Sequence, residues 1–325
     1  MLIKDRLYGP FDIGEEVLVE LIGSDPVQRL KKIAQYGVPD EYYVYRNYSR
    51  YEHSVGVMLL VRKLGASVEE QAAGLLHDVS HTAFSHVVDW LLGTGENEDH
   101  QDKIHQKIFM ESELPGILER HGFDAKRVSD YKNFRLVEQP TPKLCADRVD
   151  YALREFQDWA APSVVAECVN SLAANDGRMV FSSKPVARNF AEAFLKCQMV
   201  HWGGAQATVR YTLLSSALRI AIENKIITLE DLLKDDSFVI GKLKSCNNIE
   251  VQKYLGMLAD KNLLVVEDPH NPQYVMKKKF RYVDPDYLEN GEVFTLGKTD
   301  LAFGKLVEEN RKINDAGLRL SIGRM

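Results

Sequence analysis

Along the first two thirds of the chain, apolar residues recur at the period of a helix far more often than at that of a strand. Residues 26–37, PVQRLKKIAQYG, put Pro26 where a first helical turn accepts it, carry apolar residues at helical spacing and meet Gly37 as a stop. RYEHSVGVMLLVRKLG (50–65) is amphipathic and runs to Gly65. SVEEQAAGLLHDVSH (67–81) opens with Ser67 and Glu70 in the arrangement of a capping box. In TPKLCADRVDYALREFQDW (141–159), Leu144, Val149, Leu153 and Phe156 make a stripe that predicts a core-facing helix. NFAEAFLKCQMVHW (189–202) and ATVRYTLLSSALRIAIENK (207–225) continue the helical pattern, while MVFSS (179–183) reads as a short strand or loop.

After about residue 235 the texture changes. IEVQKYLGMLADKNLL (249–264) is helical, but KKKFRYVDPDYLENGEVFTL (277–296) alternates and contains Asn290-Gly291, a hairpin-type turn. The pattern predicts a mainly α fold, with a helical domain over 1–235 and a smaller α+β C-terminal region over 236–325. No internal repeat or low-complexity linker interrupts it.

Composition narrows the class. In 325 residues, 45% hydrophobic and 27% charged positions suit a globular chain and exclude wholesale disorder. No apolar run approaches bilayer-spanning length, and MLIKDRLYGPFDIGEE has no signal-peptide pattern, so no membrane partner is expected. Cys145, Cys168, Cys197 and Cys246 are scattered without a CxxC pair, which predicts a cytoplasmic protein with reduced thiols. A net charge of −6 argues against a dedicated nucleic-acid binder. The one short basic run, Lys277-Lys278-Lys279, reads as solvated surface. A small anionic substrate held by local cations remains compatible with that balance.

The chemistry concentrates in GLLHDVSHTAFSH (74–86), where three of the nine histidines fall within ten residues beside an aspartate. Candidate metal ligands lie on three predicted helices: His53, then His77 with Asp78, then Asp147. Two imidazoles and two carboxylates suit one divalent transition ion such as manganese, iron, zinc or nickel. Adjacent helical residues point about a third of a turn apart, so His77 and Asp78 reach one ion best near a helix end.

The text around these residues resembles the H…HD…D signature of HD-domain metal phosphohydrolases. RYEHSVG (50–56), HDVSHTAFSHVVD (77–89) and DRVDYALRE (147–155) are similar to the branch of deoxynucleoside triphosphate triphosphohydrolases, as is DPVQRLKKIAQYG (25–37) upstream. The likeness covers roughly residues 1–160. It implies an HD-type helical bundle in which His53, His77, Asp78 and Asp147 bind one metal. It implies further that His81 is catalytic, that Asp89 orients His81 and keeps it charged, and that His86 and His105 are additional site histidines. Substrate contacts would come from Arg50, Arg148 and Tyr151 on phosphate, Gln35 on the sugar or base edge, and Glu155 near the sugar 3′-oxygen.

The substrate implied by this branch is a nucleotide, a deoxynucleoside triphosphate cleaved to nucleoside and tripolyphosphate, and homo-oligomers are common there. Another phosphohydrolase activity, such as a 5′-nucleotidase or phosphodiesterase, and a non-catalytic nucleotide sensor stay open as alternatives. So does a second metal held by His81, His86 and His105. The later helix that carries a tyrosine and outer-phosphate cations in that branch is altered here: LKCQMVHWGGAQATVRYTLL (195–214) offers Lys196, His201, Arg210 and Tyr211 in an unfamiliar arrangement.

Overall fold

The computed structural model describes residues 1–159 and 162–323. Helices dominate it, and three small sheets make the fold mainly α rather than all-α.

The expected helix at 50–65 forms as Arg50–Lys63. It starts at a complete capping box, in which the Ser49 hydroxyl accepts from the Glu52 amide and the Glu52 carboxylate accepts from the Ser49 amide. At the next helix, Val68–Leu76, only half of such a box forms. Ser67 caps the Glu70 amide, but the Glu70 carboxylate accepts from the Leu136 amide at 3.0 Å instead. Glu70 thus ties this helix to the loop that leads into Ala146–Trp159, the helix of Asp147.

Two expected helices end early. Asp25–Arg29 passes through a 3-10 turn at Leu30–Lys32 and stops, and Ala34 forms a bridge with Ser49, so Gln35 sits on extended chain. Val68–Leu76 ends just before His77. The chain then turns, takes left-handed backbone angles at Phe84 (φ 63°) and Ser85 (φ 48°), and re-enters a helix only at Val87–Leu91. Non-glycine residues rarely sit there without support. It comes from Asp236, whose carboxylate accepts from the Phe84 amide (2.8 Å) and the Ala34 amide (2.9 Å), and from Ser85, whose hydroxyl donates to the Ala34 carbonyl.

Further on, Lys184–Cys197 continues into a π-helical turn at Gln198–Trp202, followed by the long helix Ala205–Glu223. Asn290-Gly291 turns the hairpin Asp286–Glu289/Glu292–Thr295, as its sequence predicts. That hairpin joins the earlier pair Leu172–Asn175/Arg178–Phe181 through a parallel pairing of Phe181 with Tyr287.

The packing crosses residue 235 repeatedly. One hydrophobic core gathers the helices of residues 16–197 and also takes in Val283, Tyr287 and Phe303. A second joins Tyr36, Phe84 and Trp90 to Leu213, Leu255 and Leu320. The segment between the C-terminal strands, residues 277–285, lies where it can reach the cavity described next.

Candidate active site

A cavity of about 530 Å³ opens between the helix bearing Arg50 and His53, the turn 77–86, the helix bearing Asp147, and residues 194–211 and 278–282. Its chemistry begins with two imidazoles of fixed orientation. His77 Nδ1 donates to the Gly74 carbonyl at 2.8 Å, which leaves Nε2 as a lone pair; that atom is buried without a hydrogen-bond partner. His53 Nδ1 donates to Asp150 at 2.8 Å, so its Nε2 also faces inward, 3.0 Å from Asp147 Oδ1.

Asp147 Oδ1 lies 3.6 Å from His77 Nε2, and the Asp78 carboxylate lies 3.4 Å from His77 and 3.8 Å from His53. Imidazole nitrogens and carboxylate oxygens converge here, with the Arg50 guanidinium on Asp78 Oδ2. A divalent cation fits this donor set, and the atoms of His53, His77 and Asp147 are within 4.8 Å of one another. The charges report the same crowding. Burial opposes a charged His77, yet Asp78 and Asp147 overcome it and lift its pKa to about 9. Burial likewise opposes an ionised Asp147, but the hydrogen bond from His53 and the neighbouring His77 imidazole hold its carboxyl well below the usual range.

Behind His53 stands a network whose members lie on one face of the Asp147 helix. Asp150 accepts from Arg154 Nε at 2.8 Å and from the Tyr8 hydroxyl at 3.0 Å, and Arg154 reaches Asp5 of the first strand at 2.8 Å. Gly56 admits this contact: a Cβ there would strike the Arg154 guanidinium and the Asp150 carboxylate. The spacing 147, 150, 154 is the signal that could have revealed the pair, since these positions recur at helical period.

The pairing of His81 with Asp89 does not form. Asp89 instead accepts from His86 Nδ1 at 3.1 Å and from the His100 amide at 3.0 Å. His81 Nε2 faces Asp78 Oδ1 at 3.3 Å, and its ring meets the edge of His86 with centroids 5.2 Å apart. The reason is the left-handed break at Phe84 and Ser85. Eight residues of unbroken helix would span about two turns; the break removes that phase and leaves Asp89 one turn past His86. Nor does the site keep His81 charged: burial, then the Arg50 charge, pushes it down to about 3, and burial also lowers His86. His105 is buried, its Nδ1 paired with the Ser80 hydroxyl at 2.9 Å and its ring edge-on to Tyr131, and it supports the 77–81 turn without lining the cavity.

The substrate candidates are placed unevenly. Arg50 is buried in the cavity wall, with Nη1 2.5 Å from Asp78 Oδ2 and Nε donating to Ser85 at 2.7 Å. Arg148 lines the cavity but is held by Glu138 at 2.7 Å and by the Lys143 carbonyl. Tyr151 lines it too, edge-on to Trp202. Gln35 also reaches the wall, and its buried Oε1 has no partner. Glu155 is engaged: its carboxylate accepts from His201 Nδ1 and Trp202 Nε1, both at 2.7 Å, so it builds the wall.

Of the later candidates, His201 and Tyr211 line the cavity, whereas Lys196 is exposed and Arg210 is buried against the carbonyls of Tyr42, Leu258 and Asp260. The Gly203-Gly204 pair serves the backbone. A Cβ on Gly204 would strike the Val200 carbonyl where the π-helical turn hands over to the next helix. The basic run corrects an expectation. Lys277 is exposed and Lys279 is exposed at the cavity's rim, but Lys278 is buried and lines the cavity, as does Arg281. Nothing within the run marks it as an inward-facing one.

Cys145 is buried beside Arg148, and burial raises its thiol pKa. Among the described residues no helix is long and apolar enough to cross a membrane.

Residues 50–154 match the family model described as HD domain. An uncharacterized protein of Bacillus subtilis, YdhJ, is 41% identical over 290 residues, 88% of each chain. The metal-dependent phosphohydrolase cns2 of Cordyceps militaris is 43% identical over 185 residues, covering 56% of this chain and 50% of that one. The Dictyostelium discoideum homolog of the deoxynucleoside triphosphate triphosphohydrolase SAMHD1 is 30% identical over 149 residues, 40% of this chain and 28% of that one. Among solved structures, a phosphohydrolase of Bacteroides thetaiotaomicron shares the fold over the full length of both chains, with a TM-score of 0.72 at 18% identity. Together with the His and Asp cluster that the fold assembles, these likenesses show that the chain belongs to the HD-domain family of metal-dependent phosphohydrolases.

Proposed function

We propose that this protein hydrolyses a phosphoester of a nucleotide with one divalent transition ion held by His53, His77, Asp78 and Asp147. The leading substrate is a deoxynucleoside triphosphate, cleaved to nucleoside and tripolyphosphate. The observation that carries the metal is His77 Nε2, a buried ring nitrogen without a hydrogen-bond partner that faces two carboxylates and a second imidazole. When bound, the ion supplies Lewis acidity, polarising a phosphoryl oxygen and acidifying an attacking water.

The protein's own groups supply the rest. Asp89 accepts the Nδ1–H hydrogen bond of His86 and so leaves Nε2 as the atom that exchanges a proton with the leaving oxygen. Burial keeps His86 neutral at rest, and the negative charge of an arriving phosphate raises its pKa towards protonation. His81, between Asp78 and His86, orients the phosphoryl group. Arg50 and Arg148 fix phosphate oxygens, a task suited to planar forks. Tyr151, Gln35 and the aromatic wall of Tyr36, His201 and Trp202 receive sugar and base. The relation to a triphosphohydrolase supports the substrate class.

The test is a metal-by-substrate matrix. Protein loaded separately with manganese, iron, zinc or nickel is offered dNTPs, NTPs, nucleoside monophosphates and a generic phosphodiester, with products resolved by chromatography. Nucleoside plus tripolyphosphate supports the reading. Orthophosphate from monophosphates replaces the substrate but keeps the reaction class, and no turnover with any metal overturns both.

A further inference from the structure

We infer that Lys278 is an anion-binding residue of the cavity, on the His86–Asp89 side, and takes the outer phosphates of an oligophosphate substrate. The inference rests on the phosphohydrolase reading above and adds the group that distinguishes a triphosphate from a monophosphate.

Lys278 is 7% exposed, and its residue lines the cavity. Its Nζ donates to the Trp202 carbonyl at 2.6 Å and lies 4.1 Å from the Tyr211 ring centre and 5.4 Å from that of Trp90. Among the described residues no carboxylate pairs with it, although its neighbours are matched: Lys277 with Asp315 at 3.6 Å, and Arg281 with Glu98. A buried ammonium without a counter-charge is costly to hold, and a carbonyl with two ring faces occupies only part of its three-donor head. Burial accordingly pushes its pKa down to about 7, with no carboxylate pushing back. The missing element is an anion that arrives and leaves.

Position says which anion. From the metal cluster the groups run Asp78, His81, His86, and next to His86 and Asp89 comes the charge of Arg281. Lys278 faces the ring of Trp90, the residue after Asp89, so Lys278 and Arg281 both bring positive charge to the His86–Asp89 part of the cavity. One phosphate at the metal cluster is served by the ion, Arg50 and Arg148. A cation on the His86–Asp89 side matches a substrate whose negative charge continues for one or two more phosphates.

The first experiment leaves the protein unmutated. Lysines of the full chain are reductively methylated with formaldehyde and cyanoborohydride, in the presence of inorganic tripolyphosphate, orthophosphate or sulfate at equal ionic strength, and mapped by mass spectrometry. Tripolyphosphate is expected to protect Lys278 at least fivefold while exposed Lys196 and Lys253 react unchanged. Equal protection by sulfate, or none, overturns the inference. Kinetics then separate binding from architecture. Lys278→Met is expected to raise KM for a nucleoside triphosphate by roughly tenfold or more, to change KM for a monophosphate ester little, and to keep metal content; Lys278→Arg restores most of the loss. An equal rise for both substrates overturns it. If the wild-type protein turns over no phosphorylated compound, the hydrolase reading falls, while the protection result still decides Lys278.

Discussion

The two sides of the cavity are built differently. The side formed by residues 50–155 is a dense polar network, where nearly every donor and acceptor is fixed by a second residue: His77 by Gly74, His53 by Asp150, His86 by Asp89, Arg50 by Ser85. The opposite side, residues 194–211 and 278–282, is aromatic and cationic, and its polar atoms mostly hold the wall itself, as His201 and Trp202 do by donating to Glu155 and Lys278 by donating to the Trp202 carbonyl. Groups that must act on a bond need orientations good to tenths of an ångström. Groups that select a substrate need shape and charge, which packing supplies. The contrast assigns chemistry to the first side and choice of substrate to the second.

Breaking the first side should be most costly. Asp78→Ala is expected to strip the bound metal and lower turnover by at least about a thousandfold; full metal stoichiometry in this variant, measured by inductively coupled plasma spectrometry, would remove Asp78 from the ligand set. Next come the histidines. His81→Ala and His86→Ala should keep the metal and lower kcat by roughly 10²- to 10⁴-fold. A double-mutant cycle sharpens the correction to the dyad: Asp89→Asn should add nothing in the His86→Ala background but retain its effect beside His81→Ala.

On the opposite side, Trp202→Leu is expected to raise KM by roughly tenfold, the value of about one aromatic contact, with kcat within a few fold. An equal fall in kcat would erase the distinction between the two sides. The smallest effect falls on the brace between them. Asp236→Asn sets an amide against two backbone donors and should cost about 1–3 kcal/mol of stability, read as a fall in Tm. Burial lifts the Asp236 carboxyl to about 7 despite its bonds to the Ala34 and Phe84 amides. Its proton therefore stabilises the fold at low pH, and that contribution fades as pH rises from about 4 through about 7. The Tm advantage of the wild type over Asp236→Asn should shrink across that window.

How much of this the chain announces depends on how local the determinant is. His53, His77, Asp78 and Asp147 stand out because each sits in a short stretch with its own helix signals, and the end of the helix at Leu76 supplies the relaxed geometry that adjacent ligands need. The partner of Asp89 is not legible, because a likeness in residue spacing carries no backbone angles, and two left-handed residues reset the phase. Gln35 was placed on a helix for a related reason: the 26–37 pattern continues, while the bridge from Ala34 to Ser49 pulls the backbone out of it. Lys278 was legible least of all. In a run of three lysines only the middle one is buried, and its surroundings come from Trp90, Trp202 and Tyr211, far away in the chain.

The line of contacts from His53 through Asp150 and Arg154 to Asp5 makes the first strand, Leu2–Asp5, a reporter of what happens at the centre. An ion that draws on His53 Nε2 strengthens the Nδ1 proton's hold on Asp150, which tightens the grip of Arg154 on the strand. Amide hydrogens of residues 2–5 should therefore exchange more slowly in the metal-loaded protein than after chelation, so that occupancy of the centre could be read at the edge of the molecule without any substrate at all.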